Sequence, residues 1–186
     1  PGINISVDTA TTPQQVSTTL QIVFLLTILT LAPAILIMTT SFTRFVIVLS
    51  FLRQAIGTPQ APSNQIVIGI ALFLSLFVMM PVWEEVNDVA LGPYLDETIS
   101  QQEFMDRAAQ PIKKFMSNFT REKDLAMFVR IAKLERPKNM EDIPIWVMIP
   151  AFVISELKAA FQIGFLLYVP FLVIDMVVAS ILMAMG

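Results

Sequence analysis

Three ionisable side chains stand inside otherwise apolar sequence: Glu156, Lys158 and Asp175. A charge at the centre of a bilayer costs about 2.5–3.5 kcal/mol on insertion scales, so each needs a reason to be there. One reason is chemistry, a proton or ion relay of the kind transporters use. The other is structure, ion pairs between helices or subunits that fix register. Glu156 and Lys158 are two residues apart, a spacing at which helical side chains do not face each other. They therefore demand other partners. The structural reading is preferred, because a relay wants several ionisable groups along a path and the chain has no His. It has no Cys either. Histidine catalysis, thiol chemistry, disulfides and zinc or iron–sulfur sites built on these residues are excluded. No phosphate loop, nucleophile elbow or metal cluster is present, so neither an enzyme nor a cofactor is expected.

The elements that must hold these charges are apolar helices. Of 186 residues, 55% are hydrophobic and 15% charged, which fits the membrane class. The net charge of −3 gives no reason to expect nucleic acid as a partner. Of the 27 charged residues, 21 lie between Glu84 and Asp142. The chain thus reads as an apolar half, a polar insert and a second apolar half.

Residues 1–15 form a polar leader. The chain opens at Pro1 with no basic n-region, which fits a processed chain. Residues 16–82 are an apolar helical region with candidate spans at 16–38 and 65–82, since a spanning helix needs ~20 such residues. Pro33 predicts a kink in the first span, and Pro81 ends the second. A helix over 41–57 lies between them, with Arg44 and Arg53 bracketing Phe45–Leu52. At ~100° per residue these arginines fall on opposite helix faces, which suits a helix among protein neighbours better than one in lipid. They also place the loop between the first two spans on the cytoplasmic side, with the insert opposite.

The polar helical insert, residues 83–142, opens a helix at the capping box Ser100-Gln-Gln-Glu103. Phe104, Ala108, Ile112, Phe115 and Phe119 follow in one stripe, and Pro111 interrupts or restarts that helix. Thr120 reads as the N-cap of a second helix whose apolar face is Leu125, Phe128, Val129 and Ala132. An insert of this size buries little surface alone. Its phenylalanines are therefore read mainly as core, with a share packing between subunits. Residues 143–186 carry three charges and read as an apolar helical hairpin, broken at Gly164 or Pro170. The fold class is all-α: membrane-associated helical hairpins, kinked by proline, with a helical polar insert.

Longer strings carry a resemblance. Ser41-Phe-Thr-Arg-Phe-Val-Ile-Val-Leu-Ser-Phe-Leu-Arg-Gln-Ala-Ile-Gly57, with Asn64-Gln-Ile-Val-Ile-Gly and Phe77-Val-Met-Met-Pro81, resembles the first signature region of the FliP family. Pro111-Ile-Lys-Lys-Phe-Met and Thr120-Arg-Glu-Lys-Asp-Leu resemble its insert. Pro150-Ala-Phe-Val-Ile-Ser-Glu-Leu-Lys-Ala-Ala-Phe-Gln-Ile-Gly-Phe and Pro170-Phe-Leu-Val-Ile-Asp-Met-Val-Val-Ala-Ser are similar to the second signature. The match runs from about residue 16 to the end.

The resemblance implies a pore-forming subunit of the flagellar type III protein export gate. Such subunits form a homo-oligomeric ring, five copies in the family, with FliR-like and FliQ-like subunits. The ring conducts unfolded substrates at the bacterial inner membrane, in the flagellar basal body beside FlhA-like and FlhB-like components. On this reading Glu156, Lys158, Asp175, Arg44 and Arg53 are buried polar links. Phe115 and Phe128 provide packing that lets the ring form. Met183 and Met185 approach the family's Met-rich constriction, which follows the equivalent of Gly186. The rivals are an injectisome export-gate subunit, a proton-coupled secondary transporter using Glu156 and Asp175, and a membrane anchor whose insert binds a partner. Phe42-Thr-Arg44 and Arg53-Gln54 lie closer to the flagellar branch.

Overall fold

The computed structural model describes residues 13–186 apart from 136, 138, 140 and 141. Residues 1–12 of the polar leader lie outside the described residues. All regular secondary structure among those described is helical. The chain divides into two units, residues 1–36 and 37–186.

Helix α1 (Pro13–Met38) accounts for the described part of the first unit. It is uncharged, and its apolar run covers Thr19–Ile35. Thr27 Oγ1 donates to Val23 O at 2.7 Å, so this hydroxyl is satisfied within the helix. The helix continues through Pro33.

The second unit begins with a turn and helix α2 (Phe42–Ala55). Gly57 ends the turn after α2 with φ +78°, the left-handed conformation that favours glycine, and its N–H donates to Gln54 O. Helix α3 (Asn64–Val86) returns alongside α2. Its buried positions Val67, Ala71, Ser75 and Met79 recur every four residues, one face of a helix. A π-helical turn (Asn87–Leu91) and the short α4 (Gly92–Leu95) extend it. Helices α5 (Gln101–Phe119) and α6 (Glu122–Ile131) form the insert, and α7 (Ile145–Met185) completes the chain.

The core is assembled from both apolar regions and the insert together. Met79 and Val82 of α3, Phe115 and Met116 of α5, Leu125 and Val129 of α6, and Val147, Met148, Ala151 and Phe152 of α7 form one cluster. Burying a phenylalanine such as Phe152 contributes about 1.5–3 kcal/mol. The insert therefore shares its core with α3 and α7, as its small size requires.

Several expectations change here. Residues 145–185 are one unbroken helix and not a hairpin. Gly164 serves contact: a Cβ there would lie 2.5 Å from a ring carbon of Phe51, so the missing side chain lets α2 approach. Pro170 removes one backbone hydrogen bond, which an apolar helix with otherwise intact hydrogen bonding tolerates. For the same reason α3 runs past Pro81 to Val86, and α5 runs through a buried Pro111. Thr120 closes α5 and does not open α6, because its hydroxyl donates to Met116 O at 2.7 Å. The capping box forms in one half only. Ser100 Oγ accepts from Glu103 N at 3.3 Å, while the Glu103 carboxylate pairs with Arg107. Among the described residues, two helical stretches are long and apolar enough to cross a membrane, Asn64–Leu95 and Ile145–Met185.

Candidate functional site

Three of the charges singled out by sequence, Arg44, Glu156 and Lys158, lie where α5 and α6 pack against the first half of α7. Helix α7 is apolar overall, yet Ser155, Glu156 and Lys158 fall on the turns facing α2 and α6. Glu156 is 1% exposed. Arg44 of α2, 112 residues away in sequence, engages both its carboxylate oxygens. The bond from Arg44 Nε to Glu156 Oε2 is 2.8 Å. This is the bidentate geometry a planar guanidinium provides and a lysine does not. The guanidinium also lies 4.9 Å from the Phe119 ring centroid, so its open face meets an aromatic.

Two residues further on, Lys158 pairs with Asp124 of α6. Ser155 Oγ donates to Asp124 Oδ2 at 3.0 Å and accepts from Arg121 N at 3.0 Å. Arg121 also donates to Gln162 Oε1. Asp124 is buried, but the Lys158 hydrogen bond, with help from Ser155 and Arg121, outweighs desolvation and holds its carboxyl below the usual range. Asp124 stands in the first turn of α6, where a carboxylate also suits the helix dipole. The sequence flags Lys158, and it reads Asp124 with Glu122 as a first-turn acid that suits the helix dipole, not as the partner of Lys158. Only its position three residues after Arg121, on the inward face with Leu125 and Val129, would have distinguished it.

Beside this polar layer lies an aromatic one. Phe115 is buried, with ring centroids 5.0 Å from Phe119 and 6.0 Å from Phe152. Phe128 is half-buried against the same cluster. Arg53 lies apart from the layer. Its Nη1 donates to Pro62 O at 3.1 Å and Asn64 Oδ1 at 2.7 Å, tying the start of α3 to the end of α2. The two arginines thus point to different neighbours, as their opposite faces require. Arg44 lies level with the insert and cannot count as a loop charge, so the charge-based topology argument keeps only Arg53. Asp175 is exposed and has no ion pair among the described residues. Met183 and Met185 are also exposed, at 76% and 81%.

The site holds charge in place. Among the described residues no group of His, Cys, Asp and Glu is placed to hold a metal. Comparison with known proteins then decides what such a framework is. The profile of the FliP family matches residues 25–186.

The chain belongs to the FliP family.

Relatives of this FliP-family chain include the flagellar biosynthetic protein FliP of Bacillus subtilis, 52% identical over 98% of this chain and 82% of that protein. The FliP of Aquifex aeolicus is 54% identical over 90% of this chain and 71% of its own length. That of Pectobacterium carotovorum is 53% identical over 89% of this chain, which spans 64% of the relative. The matched region contains the whole polar layer of the FliP-family chain, from Arg44 to Gln162.

Proposed function

We propose that this chain is a core, non-enzymatic subunit of the flagellar type III export gate, conducting unfolded flagellar substrates across the inner membrane. Family membership supports the flagellar export role. The observation that carries the structural side is the closure of Arg44 on Glu156 inside one chain. With these charges satisfied internally, the apolar outer faces of α3 and α7 are left for lipid and for neighbouring subunits. On this reading the chain forms a homo-oligomeric ring, five copies by resemblance, with FliR-like and FliQ-like subunits and beside FlhA-like and FlhB-like components. The insert faces the periplasm within the basal body. Glu156, Lys158, Arg44 and Arg53 fix the helices that build the ring, and Phe115 and Phe128 support it through the core they share. Asp175 meets a polar group of a neighbouring subunit, and Met183 and Met185 lead toward the constriction.

The transporter reading needs a carboxylate that gives and takes protons from water. Glu156 is clamped on both oxygens and buried, which counts against it. The test of the proposal is genetic. Expressing the full-length protein in a strain lacking its FliP-family subunit should restore motility and flagellin export. Export without change, alongside ion flux through liposomes that depends on Glu156 or Asp175, would overturn it.

A further inference from the structure

The polar insert is polarised in charge along its sequence. Residues 83–106 contain seven acids and no base, whereas residues 107–138 contain nine bases and three acids. The π-helical turn, at the acidic end, packs on α5 and α3, and Tyr94 of α4 meets the Phe104 ring of α5, while α6 packs on α7. Pairing inside the chain uses part of the acidic set, since Glu85 meets Lys114 and Glu103 meets Arg107. Glu84, Asp88, Asp96 and Glu97 are exposed and in no ion pair among the described residues. Leu95, beside them, is 70% exposed.

At the other end, α6 with Lys133, Leu134, Pro137, Asn139 and Ile143 lines an open groove of about 930 Å³. Its floor is apolar, with Leu125, Val129, Leu134 and Ile143. Its rim carries Lys123, Arg130 and Lys133, against one acid, Glu122. These three bases are exposed and in no ion pair among the described residues. Each surface thus has the charge the other lacks, and each has apolar area to bury. Two different patches that complement each other make a heterologous contact, which builds rings or filaments instead of two-fold dimers.

We propose that the basic groove on α6 receives the acidic flank, Glu84 to Glu97, of a second copy of this chain. The contact deepens the ring reading above and rests on it. It gives the interface a direction: each copy offers its flank to one neighbour and its groove to the other. Charge steers the approach and sets orientation, and the apolar floor with Leu95 excludes water.

The test uses the full-length protein in membranes and in mild detergent. Reversing the groove (Lys123→Glu, Arg130→Glu, Lys133→Glu) should raise the concentration needed for self-assembly about tenfold or more, read by light scattering. Reversing the flank (Glu84→Lys, Asp88→Lys, Glu97→Lys) should do the same. Both reversals in one chain should restore assembly, which a variant that merely misfolds does not do. The absence of cysteine gives a second readout that needs no charge change. Chains bearing one groove cysteine (Ala126→Cys or Lys133→Cys) and one flank cysteine (Asp88→Cys or Leu95→Cys) should give a ladder of multimers with a short bis-maleimide. Chains with only one of the two should not. Oligomers that form normally, ignore both reversals and yield no ladder would overturn this contact and leave the ring reading intact. A protein that stays monomeric at every concentration would overturn both.

Discussion

The Arg44–Glu156 pair makes a quantitative demand. Glu156 is 1% exposed and Arg44 23%, and Arg44 nitrogens bond both oxygens of the carboxylate. Removing Arg44 leaves a buried carboxylate unpaired, which costs about 3–5 kcal/mol. Arg44 keeps some water contact, so the lower end of that range applies. Loss of the contact with Phe119 adds about 0.5–1 kcal/mol. Arg44→Met should therefore destabilise the chain by about 3–4 kcal/mol. Replacing both partners removes the unpaired charge as well as the pair. Arg44→Met with Glu156→Met should then recover most of the loss, since apolar replacements of buried pairs are often neutral. The assay is denaturant unfolding in detergent, followed by far-UV circular dichroism, for the wild type, both single variants and the double. A cost below about 1 kcal/mol for Arg44→Met, or a double variant as unstable as the worse single, would refute the reasoning.

Other consequences are smaller or more local. Gly164→Ala places a methyl against Phe51 and should cost about 1–3 kcal/mol in thermal or chemical unfolding, with recovery when Phe51→Leu is added; no loss would mean that α2 and α7 are not in close contact. Asp124 has a native pKa lowered chiefly by Lys158, so its carboxylate adds stability above its unfolded pKa of about 3.9, and that stability is lost as pH falls toward the native value. The stability gap between wild type and Asp124→Asn should accordingly narrow on acidification, and a gap constant between pH 7 and pH 2 would contradict the clasp. Ser100→Ala removes the cap on α5 and should cost about 0.5–2 kcal/mol, measured by the unfolding midpoint, with Ser100→Asp close to neutral.

Local rules read some of this chain well and other parts poorly. The inward faces of α5 and α6 follow three- and four-residue spacing, and Phe115, Leu125 and Val129 are buried where that spacing puts them. Proline breaks helices here less than its local rule implies. Pro81, Pro111 and Pro170 each sit inside a continuous helix, because packing and the remaining hydrogen bonds outweigh one lost donor. Thr120 fits the composition of an N-cap, but its hydroxyl bonds backward to Met116, and composition alone does not choose between the two directions. The groove rimmed by Lys123, Arg130 and Lys133 is not read from spacing, since it depends on how Leu134, Pro137, Asn139 and Ile143 fold back beside α6.

By itself the sequence determined that the chain is apolar, polar and apolar in turn, that it offers no His or Cys chemistry, and that Glu156 and Lys158 do not satisfy each other. Those conclusions need only hydropathy and the period of a helix, which are local. The tertiary structure decided who the partners are. Arg44 reaches Glu156 across 112 residues and Asp124 reaches Lys158 across 34, and no periodicity encodes such distances. It also decided that α7 is one helix, because Gly164 spends its missing side chain on contact with Phe51 and not on a turn. Of the charges that open the sequence as a puzzle, Glu156 joins α7 to α2 through Arg44 and Lys158 joins α7 to the insert through Asp124, while Asp175 has no ion pair among the described residues.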